Sequence, residues 1–94
     1  MRLAGRLLLE EFISAHPETR GALDAWAAEV RQASWKSPHE LKAQYGSASI
    51  LGGGRVVFNV KGNMYRLLAT LDYANQQCVV ERVGTHSEYD NWEL

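Results

Sequence analysis

The apolar residues of this chain change their spacing once, and that change limits the architecture more than any other feature. Up to Gln44 they recur every three or four positions; after Gly46 they recur every second position in runs rich in β-branched and aromatic residues. Helices first and strands afterwards, within 94 residues, predict an α+β fold in which the helices cover one face of a sheet. A chain of this length supports one core, so residues 1–94 are read as a single domain.

In the helical half, Leu8, Leu9, Phe12 and Ile13 draw one stripe over Leu7–Ala15. Pro17 disfavours helical geometry at His16 and so ends that helix near Ala15. A second helix starts around Pro17–Thr19 and carries Ala22, Leu23, Trp26, Ala27 and Val30 on its apolar face. Ser37, followed by Pro38 and by Glu40 three positions on, predicts the capped start of a short helix from Pro38 to Gln44.

The second half predicts a three-strand antiparallel meander within residues 55–83: Arg55–Lys61, Met64–Tyr73 and Cys78–Val83. Short additional strands fit residues 1–4 and 48–51, and Gly52-Gly53-Gly54 reads as a flexible turn. A two-residue turn at Gly62-Asn63 would set Asn59 opposite Arg66 and Val57 opposite Leu68. Phe58, Val60, Tyr65, Leu67 and Ala69 then form the core face, and Asn59, Lys61 and Arg66 gather at one end of the polar face. Ordinary solvent-facing residues of a one-sided sheet would produce the same pattern.

Charge and motif content exclude several functions. A formal net charge of −1 argues against coating nucleic acid through overall basicity, so RNA binding would need a local patch, and residues 55–66 carry Arg55, Lys61 and Arg66 without an acid. No apolar run approaches the roughly 20 residues of a membrane span, and Glu10-Glu11 follows the N-terminal basic residues where a secretion signal would need an apolar core. The expectation is therefore a cytoplasmic protein without a membrane partner. Cys78 lies in a strand-like run and reads as a small buried side chain. His16, His39 and His86 stand in separate segments without paired ligand spacing, so no metal is expected, and the glycine run lacks the Lys and Ser/Thr of a phosphate loop, so no cofactor is expected either.

Chemistry is conceivable in Gly84-Thr85-His86-Ser87-Glu88-Tyr89-Asp90, where His86 and Tyr89 fall side by side on one helical turn. RNA is cut without metal when its 2′-hydroxyl loses a proton and attacks the adjacent phosphorus, the 5′-oxygen leaves with a proton, and cations hold the phosphate. An imidazole such as that of His86 can give or take a proton, Tyr89 can donate a proton or orient a ribose, and Lys61 and Arg66 can grip phosphate. A hydrogen-bonding His86 and a packing Tyr89 without catalytic duty fit the same spacing.

Two motifs make the reading specific. Arg55-Val56-Val57-Phe58-Asn59-Val60-Lys61-Gly62-Asn63-Met64-Tyr65-Arg66-Leu67, followed by Gly84-Thr85-His86-Ser87-Glu88-Tyr89-Asp90, resembles the HigB-type toxins of the RelE-like superfamily. Phe12, His16-Pro17 and the stretch from Trp35 to Lys42 extend the resemblance over nearly the whole chain. It departs at Glu81, where such toxins often carry a basic residue, and at Arg82, where they often carry an apolar one. The resemblance implies a RelE-like fold and an endoribonuclease toxin of a type II toxin–antitoxin pair, cleaving messenger RNA on the translating ribosome. It implies a helix-turn-helix antitoxin of the HigA kind, with operator DNA bound only through the complex. Carried onto this sequence, it implies catalytic His86, Tyr89, Arg66 and Lys61, and RNA contacts from Asn59, Asn63, Arg55 and Arg82. The alternative is the same fold acting only as a binding module, without turnover.

Overall fold

The computed structural model describes residues 1–94. Strand β1 (Arg2–Ala4) is followed by helices α1 (Arg6–Ala15), α2 (Arg20–Gln32) and α3 (Pro38–Gln44), with a 3₁₀ turn at Pro17–Thr19 between the first two. Then come β2 (Ser49–Ile50), β3 (Arg55–Val60), β4 (Tyr65–Asp72), β5 (Gln77–Thr85) and a four-residue helix α4 (His86–Tyr89). The strands form one sheet in the order β1-β5-β4-β3-β2. The expected meander is its centre, and both expected short strands exist. The direction of the first strand, which the sequence left open, is parallel to β5, so the sheet is antiparallel in all its pairings but that one. The chain returns to that edge only after passing through the helices, a crossover that parallel pairing permits and a hairpin does not.

Local chemistry explains the helices. Ser37 Oγ accepts from the Glu40 amide, while the Glu40 carboxylate accepts from the Lys36 amide, so the start of α3 is capped from both directions. The C-terminal end of α2 receives hydrogen bonds from the Met1 amino group at Val30 O and Ala33 O. The stripe assigned to α1 is narrower than expected: Leu9 and Ile13 are buried and Phe12 partly so, but Leu8 faces solvent.

The core lies between the helices and one face of the sheet. Leu23, Trp26, Ala27 and Val30 of α2 meet Phe58, Val60, Tyr65, Leu67 and Ala69, the set assigned to the core face. Phe58 has no exposed surface and is wedged edge-on between the rings of Trp26 and Tyr45, with centroids 5.3 and 5.2 Å away. Cys78 is fully buried beneath the helices, and desolvation pushes its thiol up to about 12, which keeps it from acting as a nucleophile.

The β3–β4 register matches expectation, Asn59 opposite Arg66 and Val57 opposite Leu68, but the turn that sets it differs. Lys61–Met64 form a four-residue loop, and its left-handed residues are Lys61 (φ 53°) and Gly62 (φ 67°), not Gly62 and Asn63. Two extra loop residues, one on each strand end, leave the register unchanged, which is why the pairing was predictable and the turn was not. Between β4 and β5 the register slips by one at Leu68/Ala69, so Glu81 is the extra residue of a bulge. The Glu81 carboxylate accepts from the Thr70 hydroxyl, on the same face as Arg82, whose partner is Leu68.

Candidate functional site at the turn end of the sheet

The face of the sheet turned away from the helices is not open. The segment Trp92–Leu94 crosses it: the Arg82 guanidinium sits 5.3 Å from the Trp92 ring centroid, and Arg55 donates to Leu94 O at 3.1 Å. Gly84 makes this approach feasible, because a Cβ there would stand 2.7 Å from Trp92 Cζ2. Arg55, Leu68, Glu81, Arg82, Glu93 and Leu94 line a cleft of about 300 Å³ on this face.

Helix α4 brings the terminal motif back to the β3–β4 turn. Its first residue donates from the His86 amide to Met64 O at 3.0 Å. Thr85 and Glu88 close a reciprocal capping box, Thr85 Oγ1 accepting from the Glu88 amide and Glu88 Oε1 accepting from the Thr85 amide, which fixes so short a helix at its base. Those bonds hold the Glu88 carboxyl below the usual carboxylate range, with a smaller contribution from His16 nearby.

Arg66 lies on the expected face but is buried, with 8% of its surface exposed. Its Nη1 donates to Asn63 O at 3.0 Å and Tyr65 O at 3.1 Å, and its guanidinium carbon lies 5.3 Å from the Tyr89 ring centroid. Arg66, Tyr89 and the backbone of Asn63 are therefore one unit, and His86 is anchored to the same turn. The His86 imidazole itself points to Asp90, with Nε2 3.8 Å from Oδ2.

Two residues expected beside Arg66 go elsewhere. The Lys61 ammonium turns to the helix side and donates to Glu18 O at 3.3 Å, because its left-handed backbone redirects the side chain. Asn59 keeps the predicted face but donates to Ser47 O at 3.2 Å, bracing the loop before β2. Arg55 and Arg82 are engaged by the C-terminal segment.

Sequence patterns alone missed a second constellation on the helix side of the same turn. Following α1, the His16 ring stacks on Phe12 (centroids 4.4 Å apart, 25° between planes) and meets the edge of Tyr65 at 5.8 Å. His16 Nδ1 lies 3.6 Å from Glu18 Oε2, and the same carboxylate accepts the Tyr65 hydroxyl. The Tyr65 bond, then one from its own backbone, holds the Glu18 carboxyl below the usual range, and the reverse effect pushes the Tyr65 phenol up. The available signal was His16-Pro17-Glu18 at a helix junction, but nothing in the spacing linked it to Lys61 or Tyr65, 43 or more residues later. No three His, Cys, Asp or Glu side chains converge as a metal-ligand set.

Comparison with known proteins adds the chemical class. A sequence model described as HigB toxin, the RelE-like toxic component of a toxin–antitoxin system, matches residues 19–92. The chain is similar to the mRNA interferase toxin HigB of Escherichia coli strain K12 and to the mRNA interferases HigB of Escherichia coli O157:H7 and Shigella flexneri. Each is 30% identical over 92 residues, covering 96% of this chain and 88% of the relative.

Proposed function

The chain belongs to the HigB family of RelE-like toxins, and from that premise we propose that it is the endoribonuclease of a type II toxin–antitoxin pair, cleaving messenger RNA by acid–base chemistry without a metal. The observation that carries this reading is the similarity to mRNA interferases along 96% of the chain. The whole of residues 1–94 acts as one toxin domain. The substrate is taken on the translating ribosome, the antitoxin is a helix-turn-helix protein, and operator DNA is reached only through their complex.

In this reading the Arg66 guanidinium, two of whose contacts are already spent on Asn63 O and Tyr65 O, offers its remaining donors to the scissile phosphate. Tyr89, stacked over it, orients the ribose. His86 supplies the proton that leaves with the 5′-oxygen, and Lys61 adds positive charge at the turn. Asn63, Asn59, Arg55 and Arg82 extend the contact surface along the strand, Arg55 and Arg82 once Trp92–Leu94 yields the outer face.

Induced expression with and without the neighbouring antitoxin gene, followed by mapping of RNA ends, tests this. Growth arrest relieved by the antitoxin, with new ends carrying a 2′,3′-cyclic phosphate or 3′-phosphate and 5′-hydroxyls, is expected. Cleavage that stops on removing divalent ions from a reaction whose ribosomes stay intact would count against the metal-free route. One observation favours a second reading, a binding module without turnover: Arg66 is buried and the C-terminal segment occupies the outer face. Unchanged RNA ends under full induction would select it.

A further inference from the structure

The constellation on the helix side of the β3–β4 turn has the parts of a proton-transfer site. Glu18 Oε2 lies 3.6 Å from His16 Nδ1, just beyond hydrogen-bond distance, and Phe12 fixes the plane of the ring. His16 Nε2 has no hydrogen-bond partner and is not among the buried unpartnered atoms, which are only Trp26 Nε1 and Tyr73 Oη, so it keeps access to solvent. A shift of less than about 1 Å would bring the carboxylate into hydrogen-bond reach of Nδ1 and, with the second nitrogen free, complete the arrangement by which a histidine is oriented to take a proton. The Lys61 ammonium is held at the residue that flanks the imidazole, donating to Glu18 O at 3.3 Å with two donors left free. The loop Lys61–Met64 connects this group to the opposite one: Lys61 reaches Glu18 at one end of the loop and Met64 O receives the His86 amide at the other. His16 and Glu18 precede the residues 19–92 matched by the family model.

We propose that His16 is the general base of the RNA-cleaving reaction, that Glu18 is its positioning residue, and that Lys61 faces the phosphate between His16 and His86. The proposal rests on the reading of the protein as a nuclease. His16 Nε2 takes the proton of the 2′-hydroxyl; the 2′-oxygen bonds to phosphorus; the bond from phosphorus to the 5′-oxygen breaks; and that oxygen takes the proton of the His86 imidazolium. The products are a 2′,3′-cyclic phosphate and a 5′-hydroxyl, and the two histidines return to their starting states by proton exchange with water. The groups near His16 are Glu18, Tyr65 from β4 and Glu88 from α4, and Lys61 of the turn bonds to the Glu18 carbonyl.

The test uses the full chain with messenger RNA on translating ribosomes, comparing wild type, His16→Gln and Glu18→Gln after thermal melts confirm folding. His16→Gln is expected to lower kcat by about 100-fold or more with KM changed less than about threefold, and to abolish the rise of rate with pH on the acidic side. Glu18→Gln, which keeps the imidazole but not its carboxylate, is expected to lower kcat by about tenfold and to retain that rise. Affinity for an RNA with a 2′-deoxy substitution at the cleavage position should be unchanged by His16→Gln. A folded His16→Gln protein with wild-type kcat, or one with reduced kcat and an intact acidic rise, overturns the assignment while leaving the nuclease reading standing. Wild-type protein that binds its antitoxin yet cuts no RNA overturns both.

Discussion

Arg66 is the residue at which the fold and the proposed site meet. Its Nη1 bonds to Asn63 O and Tyr65 O fasten the start of β4 to the β3–β4 turn, and the outward surface of the guanidinium meets Tyr89. Arg66→Ala should therefore do two things: abolish growth arrest and cost about 1–3 kcal/mol, because two largely shielded carbonyls lose their donor. Chemical denaturation beside a growth assay checks both, and a folded, fully toxic variant would remove Arg66 from the site. Arg66→Lys should keep the charge but lose the fork that reaches two carbonyls and a phosphate at once, so partial function at most is expected. Phe58 lies at the other extreme, without exposed surface between Trp26 and Tyr45. Phe58→Ala should lower stability by about 3–5 kcal/mol by denaturant titration. A loss below about 1 kcal/mol would mean that the faces of β3 are inverted.

Among the elements, β5 and the C-terminal segment after it decide the shape of the site. The bulge at Glu81 puts Glu81 and Arg82 on the same side of β5, so Arg82 shares its face with an acid. Beyond it, Gly84 leaves room for the Trp92 ring, and the Thr85–Glu88 capping box directs α4 back over the turn. Gly84→Ala would place a methyl carbon 2.7 Å from Trp92 Cζ2 and 3.3 Å from Glu88 Cβ, closer than carbon atoms pack. The strand cannot move without breaking its pairing with Arg66, so the C-terminal segment should lift. Faster amide exchange over residues 86–94, with protection of β3 and β4 retained, is the expected result; unchanged exchange there would show that Trp92 is not seated on Gly84.

For the molecule as a whole, acid should be the weak side of the stability profile. Glu10 beside Arg20, Glu18 beneath the Tyr65 hydroxyl, Asp72 against Asn75 and Glu88 in its capping box all have carboxyls held below their usual range. A carboxyl with a lower pKa folded than unfolded adds stability that is complete above its unfolded value, about 4, and is lost as pH falls through the folded one. These groups tie α1 to α2, the junction to β4, the β4–β5 turn to itself, and α4 to β5. Denaturation midpoints should thus stay nearly level from pH 7 to about 5 and drop below about 4. A midpoint at pH 3 equal to that at pH 7 would contradict these pairings.

The sequence by itself determined whatever depends on neighbours along the chain. Periodicity of 3.6 and of 2 set the element types, Pro17 and Ser37 marked helix boundaries, and alternation from Phe58 to Ala69 chose the core face, because one face of the sheet had to meet the helices. The two motifs also carried the family, since they span the paired strands and the returning helix. What only the tertiary structure decided depends on residues far apart in sequence. β1 joins β5 in parallel through a three-residue strand too short to show a pattern. Lys61 leaves Arg66 for Glu18, because a left-handed φ in a four-residue loop turns its side chain over the edge. Arg66 is buried, because Tyr89 of a distant helix stacks on it. His16, Glu18 and Tyr65 meet because the junction after α1 packs against the first residue of β4, a contact across 47 residues between Glu18 and Tyr65 that no local spacing encodes.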